Sequence, residues 1–161
     1  RRIPLYLPHD LVDELWEHTL KGSMGGNSEG VQTLDDYFVV RVMMGDQLST
    51  PWFRAELFGT RHTPGKPCYG LLLEDRVLYT SDTRAIPEQL SGLPFDVGFH
   101  DVCLHPGNQV HAGLEEMIQA YPPDLRQRLY LSSYEDDFEH YREQVEAHFA
   151  GFALQGMTLR F

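Results

Sequence analysis

The apolar positions of the chain fall into short runs with two different periods. Residues 3–7 (Ile-Pro-Leu-Tyr-Leu) read as a strand. Asp10 then stands as a helix N-cap, with Asp13 in the first turn, where the helix dipole favours negative charge. Leu11, Val12, Leu15, Trp16 and Leu20 share one helical face, and Gly22 is a natural stop. The stretch 22–30 holds four glycines with Ser23, Asn27 and Ser28. It lacks the GxxxxGK[ST] pattern of a phosphate-binding loop, so it reads as a flexible connector.

Further on, the pattern is β-rich. A continuous apolar run over 37–44 predicts a mostly buried strand, and 52–58 alternates as another. Residues 71–73 and 77–80 flank Glu74-Asp75-Arg76 as a hairpin, and 95–99 is a further short strand. Val110, Leu114, Met117, Ile118 and Tyr121 have helical spacing up to Pro122-Pro123. Residues 129–131 suggest a strand. A long helix is expected over 135–148, with Phe138, Tyr141, Val145 and Phe149 as its buried stripe. Gly151 ends that helix, and 152–154 with 157–161 predicts a closing hairpin. No internal repeat or long linker interrupts the chain, so it reads as a single domain over 1–161. Strands and helices mix without strict alternation, which points to an α/β class with a mixed sheet.

Composition narrows the function more than the fold. The 161 residues are 42% hydrophobic, enough for a core, and the formal net charge is −11. That charge disfavours long nucleic acid as a partner, while a small anion is still compatible with a local cation or metal. No apolar run approaches the length of a membrane span. Cys68 and Cys103 form no CxxC and no disulfide framework, so a reducing cytoplasm is the expectation. The chain opens on Arg1 in the body of a strand, from which a missing upstream portion is expected.

Histidine supplies the candidate chemistry. His9, His18, His140 and His148 sit among acidic residues at helix ends or on helical faces and read as solvated surface groups. His62 lies in a Pro- and Gly-rich loop, Asp82 ends an apolar strand, His100-Asp101 follows the strand over 95–99, and His111 opens a helix. Strand ends hold polar tips rigidly at a sheet edge. Imidazole and carboxylate together suit Zn²⁺, Mn²⁺ or Fe with one position open to water. The alternative is a turn-capping Asp82 and an ordinary loop His62, and spacing alone does not choose between them.

Taken in order, Thr60-Arg61-His62-Thr63-Pro64-Gly65-Lys66-Pro67, Tyr69-Gly70-Leu71, Leu78-Tyr79-Thr80-Ser81-Asp82-Thr83, Phe99-His100-Asp101-Val102-Cys103 and Val110-His111-Ala112 resemble the metallo-β-lactamase-fold hydrolases. The branch that looks most similar contains ribonuclease Z-like enzymes and cyclic-nucleotide phosphodiesterases. The resemblance implies a partial αββα sandwich corresponding to the C-terminal two-thirds of a family member. It implies His62 and Asp82 as ligands of Zn or Mn, with Asp82 bridging two metals. His111 is implied as the general acid, and His100 and Asp101 as a pair that orients the ligands by hydrogen bonds. Ser81 stands where the family usually has Gly.

Two departures stand beside this likeness. The family's HxHxDH motif is absent, and Ser133 occupies the position of the last ligand histidine. The resemblance therefore implies a domain derived from a phosphodiester hydrolase acting on a small-molecule phosphodiester, impaired or inactive as a lone chain. The rival expectation is a non-catalytic binding or assembly domain on the same scaffold. Missing strands would expose an apolar face, so a homo-oligomer or a complementing N-terminal segment is expected.

Overall fold

The computed structural model describes residues 2–160. Contacts divide the chain into two compact units, Arg1–Leu48 and Ser49–Phe161.

In the first unit β1 (Ile3–Pro8) leads into a helical run. It comprises a 3₁₀ turn (His9–Leu11), α1 (Val12–Leu15), a π-helical turn (Trp16–Leu20) and α2 (Lys21–Met24). Asp10 is not the N-cap: Pro8 takes that place at φ −53° and ψ 141°, and no side chain caps the turn. Gly22 does not stop the helix either. Space for a Cβ is open around it, and the run continues to Met24. The expected connector contains a small hairpin, β2 (Gly26–Asn27) with β3 (Gly30–Val31). Next comes α3 (Leu34–Tyr37), opened by a capping box in which Asp36 Oδ2 accepts from Thr33 N and Oγ1 at 2.7 and 2.8 Å. These bonds hold the Asp36 carboxyl below the usual carboxylate range.

The next strand, β4 (Phe38–Met43), runs parallel to β1, with Ile3 opposite Phe38 and Pro8 opposite Met43. The run expected to be mostly buried is half-buried to exposed. The reason is its setting, a sheet of two strands among the described residues. Leu34 is the one fully buried hydrophobic side chain in this unit among the described residues.

A seven-stranded mixed sheet dominates the rest of the chain. Its strands are β5 (Gln47–Ser49), β6 (Arg54–Gly59), β7 (Tyr69–Leu73), β8 (Val77–Tyr79), β9 (Val97–Asp101), β10 (Leu129–Ser132) and β11 (Gly151–Phe152), in the order β11-β10-β9-β8-β7-β6-β5. β6, β7 and β8 are antiparallel neighbours, whereas β8, β9, β10 and β11 are parallel. Three residues, Glu74, Asp75 and Arg76, join β7 to β8, and the first two turn the chain with φ of 52° and 56°. The helices are α4 (Pro87–Leu90), α5 (Leu114–Ala120), α6 (Pro123–Arg126) and α7 (Arg142–His148), with a 3₁₀ turn at Phe138–Tyr141. Leu72, Leu78, Ile86, Leu90, Phe95, Met117, Leu129, Leu131, Val145 and Phe149 form the core.

Several boundaries differ from the sequence pattern, each for a physical reason. The strand over 52–58 begins only at Arg54, because Trp52 is 81% exposed. The strand over 95–99 is displaced: Phe95 drops into the core, and β9 carries His100 and Asp101 within it. The helix expected from 110 starts at Leu114, so His111 precedes it and does not open it. α5 does end ahead of Pro122-Pro123, at Ala120, and Pro123 then occupies the first turn of α6, where its missing N–H costs no hydrogen bond. The helix over 135–148 shortens because Glu135 is drawn to Leu104 N and Cys103 Sγ, each 2.9 Å away. The closing hairpin does not form. β11 joins β10 in parallel, and residues 157–160 form no strand, with Phe161 outside the described residues.

One close approach is tight enough to test. A Cβ at Gly98, on β9, would meet Leu129 Cδ2 at 2.6 Å and Leu78 Cδ2 at 3.2 Å, both on fully buried side chains. Gly98→Ala should therefore lower unfolding stability by about 1–3 kcal/mol in urea titration. An unchanged midpoint would show that this contact is not as close as described.

Candidate metal centre

Parallel alignment of β8, β9 and β10 places their C-terminal ends on one edge of the sheet, where α/β folds gather functional loops. Asp82 follows β8, Asp101 ends β9, and Ser133 follows β10. The antiparallel pairing of Gly59 with Tyr69 brings the connecting loop, and with it His62, to the same edge.

Three side chains meet there. One donor atom each from His62, Asp82 and His111 lies within 4.8 Å of the others. His62 Nε2 is 3.9 Å from Asp82 Oδ2, and the His62 and His111 ring centroids are 4.8 Å apart. Each imidazole has one nitrogen already engaged. His62 Nδ1 lies 3.3 Å from the Val110 carbonyl, and His111 Nδ1 lies 2.6 Å from Asp101 Oδ2. With Nδ1 engaged in both rings, Nε2 is the nitrogen left to face the cluster. Two imidazoles and a half-exposed carboxylate make a donor set suited to a borderline divalent cation such as Zn²⁺ or Mn²⁺.

Asp101 holds the arrangement from beneath. Its side chain is 2% exposed, and Oδ2 accepts both from His111 and from the Thr83 backbone N–H at 3.1 Å. Burial pushes its carboxyl above the usual range, opposed by the bonds from His111 and Thr83. Oδ1 is buried without a protein partner. Thr83 extends the frame, because its hydroxyl accepts from Arg61 N at 3.0 Å and its carbonyl from Ala112 N at 2.8 Å. The three loops that carry His62, Asp82 and His111 are thus joined through Thr83 and Asp101.

His100 is placed differently from its neighbour. It is fully buried, with Nδ1 2.6 Å from the Asp101 carbonyl and Nε2 2.7 Å from Tyr121 Oη. Tyr121 Oη also accepts from Ile86 N at 2.8 Å, so its own proton goes to His100 and the imidazole is neutral. Burial pushes the His100 imidazole down to about 4. Asp101 therefore touches the cluster directly, while His100 braces β9 against α5. Ser133 is exposed at φ 58°, immediately after the Ser132–Asp101 register pair. Ser81 is also left-handed, at φ 55°, a conformation glycine adopts without strain.

No local pattern marks the linking roles of Thr83 and Tyr121 or the pair His105–Asp137, whose atoms approach to 3.2 Å. An isolated Thr or Tyr carries no periodicity, and His105 and Asp137 meet only because β9 and β10 are neighbours.

Comparison with known proteins agrees with this architecture. The family model for "Anti-Pycsar protein Apyc1" matches residues 1–159. Relatives of that name include one from Paenibacillus sp. (strain J14), 36% identical over 149 residues, and one from Saccharibacillus brassicae, 37% identical over 147. Each match covers 88% of this chain and 60% of the relative. A relative from Bacillus phage 010DV004 is 33% identical, covering 98% of this chain and 65% of its own. The chain thus spans about three-fifths of the length of the curated relatives. Among solved structures, a diphosphatase of the PhnP family superposes at TM-score 0.72 and 18% identity, covering 100% of this chain and 59% of that one. The metallo-β-lactamase-fold protein YhfI of Bacillus subtilis superposes at 0.67 and 16%, covering 99% and 65%. These likenesses establish the metallo-β-lactamase fold, and the named family is finer than the branch that the motifs suggested. No described helix is long and apolar enough to cross a membrane.

The buried His100 imparts a pH dependence with a definite sign. Its folded value near 4 lies below the ordinary 6.5, so its contribution is complete above pH 6.5. As pH falls from 6.5 towards 4, the unfolded chain binds a proton that the folded chain refuses. Stability is lost there at about 1.4 kcal/mol per pH unit. Urea midpoints measured in chelator should show this slope, and His100→Gln should flatten it; equal slopes for the two proteins would contradict the assignment.

Proposed function

Because this chain belongs to the Anti-Pycsar protein Apyc1 family, we propose that it carries part of a divalent-metal site for phosphodiester hydrolysis. The convergence of His62, Asp82 and His111 on one sheet edge is the observation that carries this reading. When bound, a divalent cation supplies positive charge for phosphate oxygens and makes water more acidic. His62 and Asp82 present the donors for it.

His111 has the second task. Its Nδ1 lies 2.6 Å from a buried carboxylate, which fixes the ring orientation. As a general acid it would pass a proton from Nε2 to the oxygen that leaves phosphorus. The same Asp101 hydrogen bond would equally orient a neutral, ligating imidazole. Asp101→Asn separates the two roles: a general acid shifts the basic limb of the pH–rate profile, whereas a ligand weakens metal binding.

Three donors are few for a pair of ions, and Ser133 is a poor one. We therefore propose that the chain alone turns over weakly or not at all, and that a further segment or a second copy supplies the remaining donors. Zn or Mn and a small phosphodiester are the cofactor and substrate in this reading.

Two measurements test it. Ser133→His adds an imidazole at an exposed position whose left-handed backbone His tolerates. It should tighten Zn²⁺ binding by about tenfold or more, the scale of supporting-residue effects at metal sites. The second is hydrolysis of bis(p-nitrophenyl) phosphate by the chain fused to the unmatched portion of the S. brassicae relative. Turnover that disappears with Asp82→Asn supports the reading. Metal-loaded fusion without turnover favours the binding-module alternative, towards which the exposed serine at 133 already points.

A further inference from the structure

Among the described residues the fold buries one arginine, Arg126, which is 9% exposed. It is also an arginine without a carboxylate. Arg54, Arg61, Arg76, Arg84 and Arg142 each pair with an acidic side chain, and all five are more exposed. Arg126 instead donates from Nη1 to His148 Nδ1 at 2.9 Å, and its Cζ lies 5.9 Å from the centre of the Phe149 ring. Arginine has no acceptor, so Nδ1 accepts in this bond and brings no negative charge to it. Glu146, on the same helix as His148, turns to Arg142 at 3.3 Å. A buried guanidinium thus stands without a counter-charge, an arrangement that costs stability unless an anion completes it.

The unpartnered atoms point to the shape of that anion. Arg126 Nε is buried with no hydrogen-bond partner, and Nη2 donates to none of the described residues. These two N–H groups form the side-on fork of a guanidinium, which matches the two oxygens of a carboxylate. Arg142 shows the fork in use, with Nε and Nη2 on Glu139 at 2.7 and 2.6 Å. In Arg126 the bond to His148 holds Nη1 and so aims the fork. The site is also separate from the candidate metal centre. Arg126 ends α6, which leads into β10, and His148 ends α7, which leads into β11. Because β10 and β11 are parallel, both residues lie at the edge of the sheet opposite the one that carries Asp82 and Ser133.

We propose that Arg126 anchors a second ligand site, which takes a small carboxylate anion side-on at Nε and Nη2, with His148 as the positioning residue. A carboxylate fits better than a phosphate for two reasons. It is planar, as access to the enclosed Nε requires, and its single charge meets less opposition from a chain of net charge −11. The site needs neither metal nor turnover, so it stands or falls apart from the hydrolase reading.

The test follows the Arg126 Nε–H resonance of the 161-residue chain in ¹H–¹⁵N spectra in chelator. The chain is titrated with sodium acetate, with sodium chloride at equal ionic strength, and with inorganic phosphate. Acetate should shift this resonance saturably and raise the urea midpoint, because it binds the folded chain alone. Chloride should do neither. Arg126→Lys keeps the charge but lacks the fork, and should weaken acetate binding, read from the midpoint, by about tenfold, the scale of one charge-assisted hydrogen bond. His148→Leu should weaken it several-fold, and His148→Asn, whose amide oxygen can accept in place of Nδ1, should restore it. An Arg126 Nε–H that ignores acetate up to about 100 mM, a range where even weak contacts register, overturns the proposal whatever the variants do. So does an equal shift with chloride, tighter binding of phosphate than of acetate, or an Arg126→Lys protein with unaltered affinity. Equal acetate affinity in His148→Leu overturns the role of His148.

Discussion

The Asp101 carboxylate is the joint on which the candidate centre depends. It sits at the end of a central strand, almost wholly buried, and one of its oxygens receives both the Thr83 N–H and the His111 imidazole. Burying a carboxylate is costly unless it is hydrogen-bonded, and here the compensating donors come from two different loops. Asp101 therefore fixes where His111 points and where the chain turns after Asp82. Thr83 passes that constraint to Arg61 and so to the loop of His62.

The sheet explains why such a joint can exist. Parallel pairing of β8, β9 and β10 puts three strand ends side by side, and the antiparallel β6–β7 hairpin returns a fourth loop to the same edge. Rigid strands set the spacing, and loops supply the chemistry. His100 belongs to the rigid part: neutral, enclosed and bonded to Tyr121, it braces β9 from the core side.

Much of the second unit was legible in the sequence because its strands alternate around true core positions such as Leu72, Leu78, Leu129 and Leu131. Helix starts were harder to read. Asp10 and His111 look like openings, yet proline geometry set the first turn, and hydrogen bonds to Asn108 and Asp101 held residue 111 outside α5. The run over 37–44 looked buried because hydrophobicity was the only guide, and a two-stranded sheet leaves such side chains uncovered. At the site, Asp82 and Asp101 were visible as polar residues at strand ends, His62 in a Pro- and Gly-rich loop and His111 at an expected helix start. Their convergence, the separate place of His100 and the linking role of Thr83 follow from tertiary register, which no local pattern encodes.

In this reading His62 Nε2 and Asp82 hold one divalent ion, while the Nδ1 atoms of His62 and His111 stay bonded to the protein. Long-range ¹H–¹⁵N spectra of the imidazoles during Zn²⁺ titration measure this directly. His62 Nε2 should shift along a saturation curve, His111 Nδ1 should keep its hydrogen bond to Asp101, and Asp82→Asn should weaken the curve. A His62 imidazole that ignores Zn²⁺, or that responds through Nδ1, would contradict it.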